Sequence, residues 1–137
     1  WAEANSKKSL LNLLQLLLDH GACPNALDGG GYPALKIAIS YRFHAIVKLL
    51  LNNGADSNFQ HPETQQTLLH EAVLANHSKI ISVLILAGAK VDVKNKHGFS
   101  PIEYAQIQNP HLVDEIKNEV RYANRLERKP LTAVRNF

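Results

Sequence analysis

Leucine-rich runs recur along the chain, and each stops in the same way. "SLLNLLQLLLDHGA" ends at Gly21-Ala22, "IVKLLLNNGA" at Gly54-Ala55 and "IISVLILAGA" at Gly88-Ala89. The stops lie 33 and 34 residues apart. Within each period the apolar positions fall into two groups. In the unit that opens at Asp28, the Gly29-Gly30-Gly31 triplet makes a turn, and Leu35, Ile37, Ala38 and Ile39 predict a short helix starting at Pro33. Arg42-Phe43-His44 interrupts it. Ile46, Val47, Leu49, Leu50 and Leu51 then predict a second helix with a broad apolar face, which Asn52-Asn53-Gly54 ends. The order returns with "TLLHEA" from Thr67, a break at Asn76-His77 and an apolar run from Ile80 to Leu86. It returns again with "SPIEYA" from Ser100 and a break at Asn109-Pro110. Neither helix of a unit can bury its apolar face alone, so the units must stack. A repeat of this length marks a solenoid.

The recurring motifs resemble the ankyrin repeat, whose opening is Thr-Pro-Leu-His-x-Ala. "TLLHEA" keeps the Thr, the second Leu, the His and the Ala; "SPIEYA" keeps the Pro and the Ala; "PALKIA" keeps the Leu and the Ala. "GACPNALDGGG" and "GADSNF" are similar to the family's Gly-Ala-Asp-x-Asn hairpin entry. The resemblance covers about Leu10 to Val120 and implies an all-α, ankyrin-type solenoid of helix-turn-helix repeats joined by β-hairpin-like loops. It divides the chain into an ankyrin-repeat domain over 1–128 and a basic tail over 129–137. The domain consists of a partial repeat 1–27 and repeats 28–60, 61–94 and 95–128. Two departures are visible. The loop between Asn58 and Thr67 is one residue longer than its counterparts and lacks a glycine before the Thr, so it should be irregular. The glycine expected between the two helices is replaced by Arg42, Asn76 and Asn109, and Arg accepts a left-handed conformation less readily than Asn.

The two ends differ from the middle. The first unit shows its second helix, with Ser9 as a candidate cap, and leaves only Trp1 to Ser6 for a first helix. Leu10 and Leu11 take places that Phe43-His44 or His77-Ser78 hold later. They are expected either to lie under an upstream segment or to pack on Trp1 and Ala4. The last unit has no glycine stop. Leu112, Ile116, Val120, Ala123 and Leu126 continue at helical spacing toward Pro130, which predicts a lengthened capping helix with Asp114, Glu115, Lys117, Asn118, Glu119 and Arg121 outside. The chain starts at Trp1 and holds no Met, as expected of a piece of a longer protein carrying other domains.

Charge and composition narrow the function. Residues 1–120 are nearly balanced, with ten Lys/Arg and eleven Asp/Glu, whereas 121–137 carry five basic residues and one acidic. The overall net charge of +3 therefore describes the C-terminal end alone. No apolar run reaches the ~18 residues of a membrane span. Cys23 is the sole cysteine, so no internal disulfide can form, which fits a cytoplasmic or nuclear setting. The seven histidines show no metal-ligand spacing, and a structural role is expected for each, with His70 at the motif position that bonds neighbouring loops. Asp28-Gly29-Gly30-Gly31 lacks the Lys-Ser/Thr of a phosphate loop, and the carboxylates are scattered. No catalytic residue, metal or cofactor is expected.

What remains is surface. The resemblance implies a concave face built from loop tips and first helices. Tyr32, Ser40, Tyr41, Gln66, Leu74, Lys96, His97, Phe99 and Ile107 are the candidate partner-binding residues there, with Tyr32, Tyr41, Leu74, Phe99 and Ile107 as an apolar row. Leu74 and Ile107 have packing between repeats as their alternative. The expected function is a non-enzymatic protein-interaction module of a scaffold, adaptor or regulatory protein, binding a protein or peptide segment. The alternative is a chromatin- or nucleic-acid-associated role for Arg121, Arg125 and Arg128, which recur at helical spacing. The balanced charge of the repeats argues against nucleic acid.

Overall fold

The computed structural model describes residues 2–127. Trp1, Arg128 and the predicted tail 129–137 lie outside the described residues. The described residues form seven helices: α1 (Ala2–Asp19), α2 (Ala34–Ser40), α3 (His44–Asn52), α4 (Leu68–Leu74), α5 (Ser78–Leu86), α6 (Pro101–Gln108) and α7 (His111–Glu127). They form two rows. The short helices α2, α4 and α6 pack in sequence as an inner row, and α1, α3, α5 and α7 pack in sequence as an outer row. Each inner helix also packs on the outer helix that follows it. The fold is the expected all-α repeat solenoid.

The core lies between the rows and between units. Leu35, Ile39, Val47, Leu50, Leu68, Leu69, Ile80, Ile81, Leu84 and Ile116 are fully buried. Ala38, Ala72 and Ala105 are buried at matching places on the inner helices, where a small side chain allows the outer helix to come close. At all three stops the last turn closes by amide-to-carbonyl bonds, from Ala22 to Leu17, from Ala55 to Leu50 and from Ala89 to Leu84. The intervening Gly21, Gly54 and Gly88 have φ of 92°, 92° and 97°, which costs glycine nothing.

Several details differ from the sequence expectation. α1 is one continuous 18-residue helix, not a vestigial first helix followed by a second one capped at Ser9. No glycine, proline or left-handed residue interrupts Ala2–Asp19, so nothing ends the helix at Ser6. Leu10 is half exposed. Pro33 precedes the first helical residue of α2 as its N-cap, whereas Pro101 is the first residue of α6. Arg42 and Asn76 do take positive φ, 61° and 52°, but Asn109 does not: it is extended, with φ −154° and ψ 95°. The residue after it is Pro110, which pushes its predecessor out of the helical region. The lengthened C-terminal helix is present as α7, with Leu112 and Ile116 buried and Val120 and Ala123 packed on the core. Leu126, at its far end, is 45% exposed.

Candidate functional site

The loops between outer and inner helices form three fingers, each closed across its base by an amide-to-carbonyl bond and tightened at its tip by a second. Asp28 donates to Tyr32, His61 to Gln66 and Asn95 to Phe99, at 2.9, 3.0 and 2.9 Å. The middle finger is thus one residue longer, as expected. In all three, the first residue of the pair organises the tip with its side chain. Asp28 Oδ1 accepts from the amides of Gly30 and Tyr32, and Asn95 Oδ1 accepts from those of His97 and Phe99. His61 does the same work with Nδ1, which accepts from Glu63 and Thr64. Gly31 and Gly98 supply a positive φ near the end of the outer two tips, and Gln65 supplies it in the middle one at 55°. That is the irregularity the missing glycine predicts.

Neighbouring fingers are tied together. His61 Nε2 lies 3.2 Å from the Gly30 carbonyl, and its ring stacks on Tyr32 at 4.4 Å. The Lys96 amide donates to the Thr64 carbonyl at 3.0 Å. His70 is fully buried beneath the next finger. Its Nδ1 lies 3.1 Å from the Thr67 amide nitrogen, so Nδ1 accepts, and Nε2 carries the proton donated to the Phe99 carbonyl at 2.7 Å. Burial holds the His70 imidazolium form down, against a smaller upward pull from the Phe99 carbonyl. The motif histidine therefore acts as a neutral strut, as the resemblance implied.

On this frame the candidate residues fall into two sets of equivalent places. Tyr32, Gln66 and Phe99 each close a finger. Tyr32 is half buried, held between the His61 ring and Lys36 Nζ, which lies 4.7 Å over its ring. Gln66 is half buried with Oε1 unpartnered. Phe99 is 39% exposed. Ser40, Leu74 and Ile107 sit at the end of α2, α4 and α6, all exposed, with Leu74 at 48% and Ile107 at 63%. Packing between repeats was the alternative expectation for Leu74 and Ile107; both keep about half or more of their surface exposed, beside the buried Val73 and near the buried Ala105. Tyr41, one residue beyond α2, is 68% exposed and stacks on Phe43 at 5.9 Å. Phe43, itself 44% exposed, is read in the sequence only as part of a helix break, where an apolar residue has no periodic partner to mark it as a surface candidate. Lys96 and His97 are exposed at the third fingertip.

Arg121 and Arg125 are exposed on α7, four residues apart, and share that helix with Asp114, Glu115 and Glu119. Among the described residues no group of three His, Cys, Asp or Glu could hold a metal ion, and no helix is long and apolar enough to cross a membrane.

Comparison with known proteins agrees with this frame. The family model described as ankyrin repeats (3 copies) matches residues 35–122, and that described as ankyrin repeats (many copies) matches 6–51. The chain is 31% identical over 85% of its length to a fowlpox virus protein named for its ankyrin repeats, and spans 35% of that protein. It is 31% identical over 76% of its length to cyclin-dependent kinase inhibitor 2A of Monodelphis domestica, spanning 60% of it. It is 29% identical over 72% of its length to human cyclin-dependent kinase 4 inhibitor B, spanning 71% of it.

Proposed function

The chain belongs to the ankyrin-repeat family, and on that premise we propose that it binds a protein or peptide segment along the face formed by the fingers and inner helices. Ankyrin repeats are protein-interaction modules and generally non-catalytic. The observation that carries the finer reading is the exposed apolar row of Tyr41, Leu74, Phe99 and Ile107, to which Phe43 adds a second ring beside Tyr41. These side chains stand on a rigid stack yet contribute little to its core. Large side chains left in water in a row need an occupant. Two of the relatives are named as inhibitors of cyclin-dependent kinases, which supports a repeat stack of this size acting by covering another protein's surface. The setting we assign is the cytoplasm or nucleus, within a scaffold, adaptor or regulatory protein.

Changing Tyr41→Ser and Phe99→Ser together should leave the circular dichroism spectrum and melting temperature nearly intact. It should weaken binding of the partner isolated with the wild-type chain at least tenfold, about 1.4 kcal/mol. Binding that survives this pair but is lost in Arg121→Glu with Arg125→Glu would move the site to α7. The mixture of arginines and carboxylates on that helix is why the fingers and inner helices are preferred.

A further inference from the structure

Leu10 and Leu11 stand where Phe43-His44 and His77-Ser78 mark helix breaks, yet α1 runs unbroken from Ala2 to Asp19. Its N-terminal turns therefore continue past the break of the next unit instead of folding back as an inner helix. A groove is left between them. Leu10 and Leu11 form one wall and Phe43 and Ile46 the other, and Lys7, Arg42 and His44 also line it. Leu10 is 50% and Phe43 44% exposed, so apolar surface stands in water there. The groove holds about 260 Å³. That is below the ~300–1,000 Å³ of a pocket for a drug-sized ligand, and it suits one large side chain.

The charge around this groove has one sign. Every ionisable side chain that lines it is basic. Residues 29–55, which supply one whole wall, hold Lys36, Arg42 and Lys48 and no Asp or Glu. The next outer helix, α5, adds Lys79 and no carboxylate. His44 registers this field: burial first, and then Lys48, His77 and Lys79, hold its proton affinity below the ordinary histidine value. The neighbouring acids stand apart. Glu3 lies one turn before Lys7 on α1, and Glu115 and Glu119 border a separate depression with His44 and Lys79; none of the three lines the groove.

We propose that this groove docks an acidic peptide segment of a partner protein, seating one large apolar side chain between Leu10, Leu11 and Phe43 while carboxylates beside it meet Lys7 and Arg42. An apolar anchor in a walled pocket is where interface energy concentrates. The basic side chains then select acidic over basic partners and speed the encounter. A polyanion without an apolar group would leave the walls in water, which favours a peptide over nucleic acid. This surface lies at the first helix break and stands apart from the reading of the finger face. Phe43 borders both through its stacking on Tyr41, so the test leaves these two rings alone.

The probe is a fluorescent peptide of glutamates around one central phenylalanine, titrated with the 137-residue chain and read by anisotropy. Two control peptides carry serine at the centre, or lysines in place of the glutamates. The first peptide should bind at least tenfold more tightly than either control. Lys7→Glu with Arg42→Asn should weaken it at least tenfold. Asparagine accepts the positive φ at position 42, as Asn76 does one unit later, so the fold is kept. Leu10→Ser should also weaken it, and Phe99→Ser should leave it unchanged. Amide NMR signals of residues 7–11 and 42–46 should shift on titration. No binding by the first peptide, or equal binding by either control, would overturn the proposal. So would binding that survives both groove variants. If it survives them but is lost in Phe99→Ser, the peptide sits on the finger face, and that reading gains what this one loses.

Discussion

His70 shows how one side chain can join two units. It closes a capping box with Thr67 at the start of α4 and holds the Phe99 carbonyl of the next finger. His70→Ala would leave that carbonyl and the Thr67 amide buried without partners, each costing about 1–3 kcal/mol. Urea denaturation should show the loss. The same residue sets a pH response. Burial lowers its proton affinity in the folded state, so the unfolded chain binds more protons below the ordinary histidine value of about 6.5. Its contribution is complete above that value and is lost as pH falls from there through the lower folded one. His44 adds in the same direction, through burial first and then the nearby Lys48, His77 and Lys79. Stability should therefore fall as pH drops below about 6.5, by at most about 1.4 kcal/mol per pH unit for one histidine, with a lower melting temperature as the readout. His70→Ala should flatten that slope. Arg42 makes the opposite kind of case. With φ at 61° it carries a left-handed strain of roughly 1–2 kcal/mol, part of which Arg42→Gly would return to the unfolded chain's greater freedom. A net gain of roughly 0.5–1 kcal/mol in the same urea experiment is the expected outcome.

At the scale of elements, what could be read from the chain depended on whether local signals agreed. The middle units were legible because apolar period, glycine stop and turn residues all agreed, down to the extra residue in the middle finger. Asn109 was misjudged because its place in the repeat suggested a left-handed turn, while the proline after it imposed an extended one. α1 was misjudged because a repeat frame demands a break near Ser6, and the local sequence contains nothing that makes one. Of the candidate site, the places were legible and the exposures were not: Tyr32 and Phe99 are equivalent, yet only the structure shows that His61 and Lys36 occupy Tyr32. α7 carries the clearest energetic prediction. Ile116 is fully buried where α7 covers α5, so Ile116→Ala should cost about 2–5 kcal/mol. Ending the chain at Asn109 should abolish cooperative melting, since Leu112, Ile116, Val120 and Ala123 would all be withdrawn from the last unit.

For the whole molecule, the governing fact is that each unit is joined mainly to the next by a few side-chain-to-backbone ties: Asn25 to Gly54, Asn58 to Gly88, His70 to Phe99. Apolar contacts between rows run the same way, from neighbour to neighbour, so stability spreads along the stack and melting is expected to remain a single transition while the end units hold. These ties have a mechanical meaning as well. Pulled by its two ends, the stack carries load in series, and the weakest joint bears the same force as the strongest. Units should therefore tear away one at a time. Each tear would free about 33 residues, roughly 110 Å of extended chain at ~3.3–3.6 Å per residue, as a sawtooth in single-molecule pulling. Replacing Asn58 with Ala should lower one tooth and leave its length unchanged, making the protein a spring whose stiffness is set joint by joint.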